Sequence, residues 1–253
     1  MSHYYTPDGV LVEGAGLKEA RKQNLYVSPT TIIHEVWANT GLDYWKEGEL
    51  IKAVLCTPQF PDEPMYQYMG RVRAKANRIK DKAAEFGTAV HDAAEHYGSG
   101  AYVDQFIQPY LDTYIVWFEG NVKRVIAREI VVVDHDIGVA GKIDIVRENF
   151  SDEVCIDDLK TQTVKEGNKA GDRQGFLEQI AFYAKAYQKM NGLPDAPRCQ
   201  NLLINSTEVS PVVQLPWSPN QVEEGYQAFR ALAWIYFRSR GVDGYWPVGK
   251  WEL

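Results

Sequence analysis

The stretch IGVAGKIDIVRENFSDEVCIDDLK, residues 137–160, contains two short apolar runs that are rich in β-branched residues. The runs, 137–146 and 153–160, are separated by polar residues typical of a turn, which predicts two neighbouring β-strands. Both runs carry carboxylates, and Asp144 lies between two isoleucines in the first. A carboxylate within a buried strand is costly unless something pairs with it. The charges in this stretch therefore need partners.

Alternation along a strand places residues two apart on one face. Asp158 and Lys160 then share a face, whereas Asp157 is expected to point away, toward solvent or a supporting position. If the two strands are neighbours, Asp144 converges with Asp158 and Lys160. Two carboxylates and a backbone carbonyl are the oxygen ligands that Mg²⁺ or Mn²⁺ prefers, and a nearby lysine suits phosphodiester hydrolysis. Taken alone, the short D-x-K motif describes an exposed ion pair on a sheet edge at least as well.

The rest of the chain mixes helical and strand patterns. Residues 1–27 are expected to be irregular or β-rich, and residues 56–64, with three prolines, form a loop. The segment 66–97 predicts one or two helices with a joint near Gly87. Other helices are predicted at 28–37, 41–56, 102–119, 173–191 and 219–239, and further strands at 122–134, 201–205 and 212–215. This order predicts an α/β (α+β) fold with a central mixed β-sheet flanked by helices.

Composition narrows the class of protein. The 253 residues are 45% hydrophobic, enough for a sizeable core. The net charge of -7 argues against a polycation that coats nucleic acid, although it allows a local basic groove. Cys56, Cys155 and Cys199 form no closely spaced pair, which favours a reducing compartment such as the cytoplasm. Neither a signal peptide nor a membrane span is expected.

Two helical segments carry further candidate residues. His91 and Glu95 are four residues apart and share a helix face, as do Gln179, Tyr183 and Tyr187. The first pair could ligate a metal, and the second set could face a phosphate. Each pattern also describes an ordinary helix with a polar or aromatic side. A zinc-hydrolase interpretation fails because the H-E-x-x-H motif is absent.

In chain order, the motifs are G-x-x-x-H at 87–91, G-x-x-D at 141–144, D-x-K at 158–160 and Q-x-x-x-Y at 179–183. This ordered set resembles the RecB-like branch of the PD-(D/E)XK nuclease superfamily. The segments SPTTII (28–33) and DYWKEG (43–48) also look like the front of phage and mitochondrial genome-maintenance exonucleases of that branch.

The resemblance implies a restriction-endonuclease-like core with an N-terminal helical insertion. It implies Mg²⁺ or Mn²⁺ as cofactor, ligated by His91, Asp144, Asp158 and the carbonyl of Leu159. Lys160 would position or activate the attacking water, and Gln179 and Tyr183 would hold the active site and the scissile strand. Glu129 and Glu95 are additional candidates. No iron–sulfur cluster is expected, because the chain lacks the four cysteines that cluster-bearing relatives carry.

The stretch RVRAKANRIKDK, residues 71–82, has six basic residues and one acidic residue. Helical spacing places Arg71, Lys75, Arg78 and Lys82 in one stripe beside an apolar stripe. The stripe is a candidate nucleic-acid-binding ridge, although such a run is more often a solvated helix face. Three aromatic residues upstream, Phe60, Tyr66 and Tyr68, could stack on unpaired bases.

These patterns predict one nuclease domain over residues 1–253. Residues 1–85 form an N-terminal helical region with an arch for DNA, 86–215 the core, and 216–253 a C-terminal helix and tail. The predicted activity is divalent-metal-dependent DNA exonuclease on single-stranded or end-containing DNA. The resemblance implies a role in recombination, repair or phage DNA processing, in the cytoplasm of a bacterium or a phage-infected cell. RNA as substrate, a non-catalytic nucleic-acid-binding protein on the same fold, and a metal-dependent hydrolase of another substrate stay open as alternatives.

Overall fold

A computed structural model of the protein describes residues 3–38, 40–164 and 174–240. In chain order the elements are β1 (Tyr4–Tyr5), α1 (Leu17–Gln23), β2 (Tyr26–Val27), α2 (Pro29–Val36), α3 (Thr40–Leu55), α4 (Met65–Glu95), α5 (Gln108–Asn121), β3 (Arg124–Asp134), β4 (Val139–Glu148), β5 (Val154–Gln162), α6 (Phe176–Asn191), β6 (Arg198–Asn205), β7 (Val213–Trp217) and α7 (Pro219–Ser239). The predicted α/β class with a mixed sheet flanked by helices is confirmed. The predicted start of the helix at 173 and the tail beyond 240 lie outside the described residues.

Seven strands form one mixed sheet in the order β1-β2-β4-β5-β6-β7, with β3 paired to β4 as a branch. Strand β3 runs antiparallel along the whole of β4, so β2 and β5 must share the opposite edge of β4. There β2 pairs only at Val139, and β5 pairs from Ile145 to Glu148. Between Val139 and Ile145 this edge of β4 has no strand partner in the described sheet, so β4 and β5 open into a fork.

Helices cover both faces of the sheet. On one face α2 and α6 pack on the strands and α7 packs against these two helices, in an apolar core that includes Ile32, Ile143, Phe182 and Phe229. On the other face the end of α4 and all of α5 pack on β5 and β6, with Val90, Trp117, Leu159 and Leu202 in a second core. Neighbouring residues on β5 thus serve opposite faces of the sheet.

Local signals explain where several helices begin. Ser28 accepts a hydrogen bond from the backbone N–H of Thr31 and is followed by proline at the first helical position of α2. Ser218 opens α7 in the same way, and Gln221 completes a capping box. Neither α1 nor the late start of α5 was predicted from the sequence.

None of the helices in the described ranges is long and apolar enough to cross a membrane.

One polar network ties the β3–β4 turn to the helices behind it. The carboxylate of Asp134 is buried and accepts hydrogen bonds from the Lys189 ammonium at 2.7 Å and the Tyr226 hydroxyl at 2.9 Å. Burial, followed by the Asp134 charge, raises the pKa of Tyr226 to about 12. This network joins β3, α6 and α7.

Helix α4 is continuous from Met65 to Glu95, without a joint at Gly87. A Cβ atom at Gly87 would lie 2.8 Å from the hydroxyl oxygen of Thr161 on β5. The glycine therefore allows close contact between helix and strand rather than a bend. The half of α4 before Gly87 forms an exposed hairpin with α3, in which Val72 and Ala53 are among the few buried side chains.

Candidate active site

The fork between β4 and β5 brings the predicted D-x-K segment to Asp144. Asp144 accepts a hydrogen bond through Oδ2 from the backbone N–H of Leu159, with an N–O distance of 2.7 Å. Leu159 lies between Asp158 and Lys160, so the carboxylate of Asp144 replaces the acceptor that a continuing β4 ladder would have supplied. This contact joins the two charged motifs of the opening stretch.

Electrostatics around Asp144 indicate a crowded anionic site. Burial raises the pKa of Asp144, and the nearby Asp158 carboxylate raises it further. Positive charge on His91 and Lys160 acts in the opposite direction. The Nδ1 atom of His91 lies 3.8 Å from Oδ2 of Asp144, so His91 and Asp144 meet across the interface of α4 and β4.

Asp158 is nearly inaccessible and is held by three side chains. The Lys160 ammonium contacts both carboxylate oxygens, at 2.9 and 2.7 Å. Gln179 donates to Oδ1 at 3.3 Å and Asn201 donates to Oδ2 at 2.7 Å. The predicted pairing of Asp158 with Lys160 is therefore present, and its orientation is fixed from α6 and β6.

Lys160 is the more accessible member of this pair, with 22% of its side chain exposed. Its ammonium nitrogen also lies 5.8 Å from the centre of the Phe176 ring, over the ring face. A partly exposed ammonium held by a buried carboxylate can reach a substrate while it keeps a defined position.

Gln179 and Tyr183 lie beneath the site rather than at its surface. Gln179 donates to the Tyr183 hydroxyl at 2.9 Å as well as to Asp158, and both side chains are buried. A Cβ atom at Gly141 would lie 2.8 Å from the Tyr183 ring and from Pro29, which explains the glycine of the G-x-x-D motif. Tyr187, predicted on the same stripe, packs in the core.

A small cleft opens beside Asp144 at the end of α4. Its lining includes His91, Glu95, Glu129, Asp144 and Leu159, and its volume of about 20 Å³ is room for about one water-sized species. Both additional candidates, Glu95 and Glu129, therefore lie at the site. His96, which shares the segment, instead bonds to the carbonyl of Asp92 on the exposed helix end.

Glu129 has a left-handed backbone, with a φ angle of 51°, in the middle of β3. This conformation is rare in a residue with a side chain and costs free energy, and it is found preferentially at functional sites. The Glu129 carboxylate forms an ion pair with Lys142 of β4. The strained residue lies opposite Asp144, between the pairs Arg128–Ile145 and Ile130–Ile143.

The residues at the fork fit a small divalent cation. In a strand, the N–H and C=O groups of one residue point to the same side, so the Leu159 carbonyl faces Asp144, past the last β4–β5 pair at Asp157. With this carbonyl, His91 and Asp144 offer one nitrogen and the hard oxygens that such ions bind. Across the described ranges, no three His, Cys, Asp or Glu side chains are grouped as a ready metal site. Asp158, predicted as a ligand, is directed to Lys160, Gln179 and Asn201.

Asp157 takes the second of the two positions expected from the sequence, a supporting position rather than solvent. It points away from the Asp158 partners, as alternation predicts, and it is completely buried. Its oxygens accept from Arg147 at 2.5 and 3.2 Å and from Gln200 at 2.8 Å. Burial raises the pKa of Asp157, while the hydrogen bond from Arg147 lowers it. Asp157 therefore stabilises the core under the site.

The predicted basic ridge lies on the α3–α4 hairpin, where half of it has local partners. Arg71 pairs with Glu63 at 2.6 Å, and Lys75 donates to the carbonyl of Cys56 at 2.7 Å. Arg78 and Lys82 are exposed. Arg71, Lys75 and Arg78 line a surface groove of about 390 Å³.

Two site residues were not predicted from the sequence. Asn201 is completely buried in strand β6, and its side-chain oxygen accepts a hydrogen bond from the Trp217 indole N–H at 2.8 Å. The one sequence signal that could have revealed Asn201 is a polar residue within an apolar strand. Arg128 lines the cleft with Asp144, and no spacing rule connects it to the motifs.

Comparisons with known proteins find similarity only to solved structures of low sequence identity. No protein-family model matches the chain, and no curated protein matches it. Among solved structures, the chain is similar to a "Putative exonuclease" from Eubacterium rectale, with 12% identity over 81% of this chain and 87% of the other, and a TM-score of 0.46. It is also similar to the structure of SSO0001, with 10% identity over 77% of this chain and 87% of the other, and a TM-score of 0.30. Both TM-scores lie below 0.5.

Proposed function

We propose that this protein is a divalent-metal-dependent deoxyribonuclease that hydrolyses phosphodiester bonds at DNA ends. One observation carries the proposal: Asp144 holds the backbone N–H between Asp158 and Lys160, at 2.7 Å. Two carboxylates and an ammonium thereby meet where the β4–β5 ladder ends. A structural ion pair on a sheet edge would need neither the fork nor the second carboxylate.

The roles follow from the contacts of each residue. His91, Asp144 and the Leu159 carbonyl would hold the cation, and Asp158 would join them when Lys160 turns to substrate. A divalent cation there supplies positive charge for the phosphate and makes an attacking water more acidic. Lys160 would orient that water, and Gln179 and Asn201 would keep Asp158 in place through their hydrogen bonds.

The α3–α4 hairpin is the proposed contact surface for DNA. Besides the groove lined by Arg71 and Arg78, it exposes the aromatic side chains of Phe60 and Tyr66. Cations can neutralise phosphates while aromatic rings stack on unpaired bases. A strand end that passes the hairpin toward the fork would make the enzyme an exonuclease.

The test is cleavage of labelled single-stranded DNA of equal sequence, linear or covalently closed, in Mg²⁺, Mn²⁺ or EDTA. We expect cleavage of the linear form only, with loss of activity in EDTA. Lys160→Ala should be inactive, whereas the matched control Lys18→Ala, which changes an exposed lysine of α1, should cleave like the unmodified protein.

Other results would redirect the proposal. Equal cleavage of closed and linear strands would contradict exonuclease action but keep the nuclease. DNA binding without cleavage in any metal would favour a non-catalytic binding protein on this fold. A linear RNA of the same sequence tests the sugar preference, because RNA and DNA differ at the 2′-hydroxyl.

A further inference from the structure

Arg128 lies one residue before the strained Glu129 on β3, and its side chain lines the same cleft as Asp144. In a regular strand, consecutive side chains point to opposite faces. Both Arg128 and Glu129 nevertheless line the cleft, as do the consecutive β4 residues Asp144 and Ile145 beside them. A guanidinium therefore lies at the proposed active site.

Two groups fix the Arg128 guanidinium in place. Its Nη1 atom donates to the carbonyl of Ala94 at 3.0 Å, near the end of α4. The guanidinium also lies 5.2 Å from the centre of the Phe118 ring. A side chain held on two sides loses little further freedom when it binds a ligand.

The charge of Arg128 is not matched by a carboxylate. Glu129 pairs with Lys142, Asp144 accepts from Leu159, and no ion pair within the described part of the chain includes Arg128. Arginine has five N–H donors, and the contacts above use only some of them. A fixed, half-buried guanidinium with spare donors is well suited to bind an oxyanion.

We propose that Arg128 is a catalytic residue that binds a non-bridging oxygen of the scissile phosphate or of its immediate neighbour. This inference rests on the proposed nuclease function and deepens it. The cleft would admit one oxygen of a phosphate rather than the whole group, and the carboxylates of Glu95, Glu129 and Asp144 that line it would repel that oxygen. Arg128 offsets that repulsion at the point where charge develops in the reaction.

A purely structural role for Arg128 makes a different prediction. By holding the Ala94 carbonyl, Arg128 also ties the last turn of α4 to β3, and His91 lies directly before that turn. If this were its only role, its loss would lower stability and activity but would not change the number of phosphates neutralised on binding. The salt dependence of DNA binding separates the two roles.

The experiment measures binding of a fluorescein-labelled single strand in EDTA, where no cleavage occurs, over a series of salt concentrations. Arg128→Met keeps an apolar stem on Phe118 but removes the charge, and Arg124→Met changes an exposed arginine on the same strand. We expect Arg128→Met to reduce the slope of log K against log salt by about 0.7, the value for one phosphate contact on a single strand. Affinity at low salt should fall roughly tenfold, and Arg124→Met should match the unmodified protein.

Arg128→Lys keeps a cation and guards against a folding defect, so its slope should stay close to that of the unmodified protein. An unchanged slope in Arg128→Met, with cleavage by the unmodified protein intact, would overturn the assignment of Arg128 alone. An equal change in Arg124→Met would overturn it as well. If the unmodified protein neither binds nor cleaves DNA, the proposed function is refuted and this inference falls with it.

Discussion

Asp157→Ala would remove one of two adjacent aspartates that look equivalent in the sequence. Asp157 is completely buried and receives two hydrogen bonds from Arg147. Without it, the Arg147 guanidinium, only 6% exposed, would keep the Asn121 carbonyl as an acceptor and the Trp117 ring as a neighbour. Removing one partner of a buried ion pair typically costs about 3–5 kcal/mol, a large share of the roughly 5–15 kcal/mol that stabilises a protein.

The assay is urea-induced unfolding, followed by tryptophan fluorescence and circular dichroism at neutral pH. The double variant Arg147→Met/Asp157→Leu is the matched control, because it removes both charges and leaves no buried cation. It should regain most of the loss, since replacing both members of such a pair by apolar residues is often neutral. Asp157→Ala protein that stays folded at low temperature should still cleave DNA, because Asp157 does not contact the proposed site.

Two results would refute this reasoning. A loss below about 1 kcal/mol in Asp157→Ala would mean that the ion pair is exposed or exchanged for water. A double variant no more stable than the single variant would mean that the lost stability comes from packing rather than from the stranded charge.

Three further predictions concern the surrounding framework. Gly87→Ala should destabilise the protein by about 1–3 kcal/mol through overpacking. Gly70→Ala in the same helix, where a Cβ atom meets nothing within 4 Å, should stabilise it by up to about 1 kcal/mol. Urea midpoints measure both effects, and equal effects would contradict close packing of α4 on β5. Glu129→Gly should change the free energy of unfolding by less than about 1 kcal/mol, because it relieves the left-handed strain, but it should lower metal-dependent cleavage. Full activity of this variant would show that the Glu129 carboxylate has no role in cleavage. Because burial raises the pKa of Tyr226 to about 12, the folded state favours the protonated phenol, and its contribution to stability is lost as pH rises from about 10 to 12. In urea titrations at several pH values, Tyr226→Phe should reduce this pH-dependent loss of unfolding free energy by roughly 2–3 kcal/mol. Tyr102→Phe, at an exposed site, should leave the loss unchanged.

Much of the fold is predictable because its signals are local. Ser218 caps α7 and Pro219 is its first residue, and the prediction of 219–239 coincides with the observed helix. Helix α5 begins at Gln108 rather than 102, because the Asp104 side chain accepts from the N–H of Phe106 and forms a turn. Gly87 predicted a joint that does not exist, since sequence alone does not show that a strand lies against that face of the helix.

The candidate site was predictable only in part, because several of its contacts depend on strands distant in sequence. The D-x-K motif and Gln179 were predicted, and the structure brings them together. Asn201 reaches Asp158 only because β6 runs parallel to β5 in register, and Arg128 reaches the cleft because β3 pairs it with Ile145, the residue after Asp144. Alternation predicted that Asp157 points to the face of the sheet opposite Asp158 and Lys160. It carried no information on which residues cover that opposite face.

The most direct test of the central claim is single-turnover cleavage of a 5′-labelled linear strand in Mn²⁺ by Lys160→Met. Methionine keeps an apolar stem against Phe176 but removes the ammonium that contacts Asp158. If Lys160 orients the attacking water beside Asp144 and Asp158, the rate should fall by about 10²–10⁴-fold in protein that circular dichroism shows to be folded. The variant should also be less stable in urea, because the buried Asp158 carboxylate loses its cation. A rate within threefold of the unmodified protein, in a folded variant, would contradict the assignment of the β4–β5 fork as the active site.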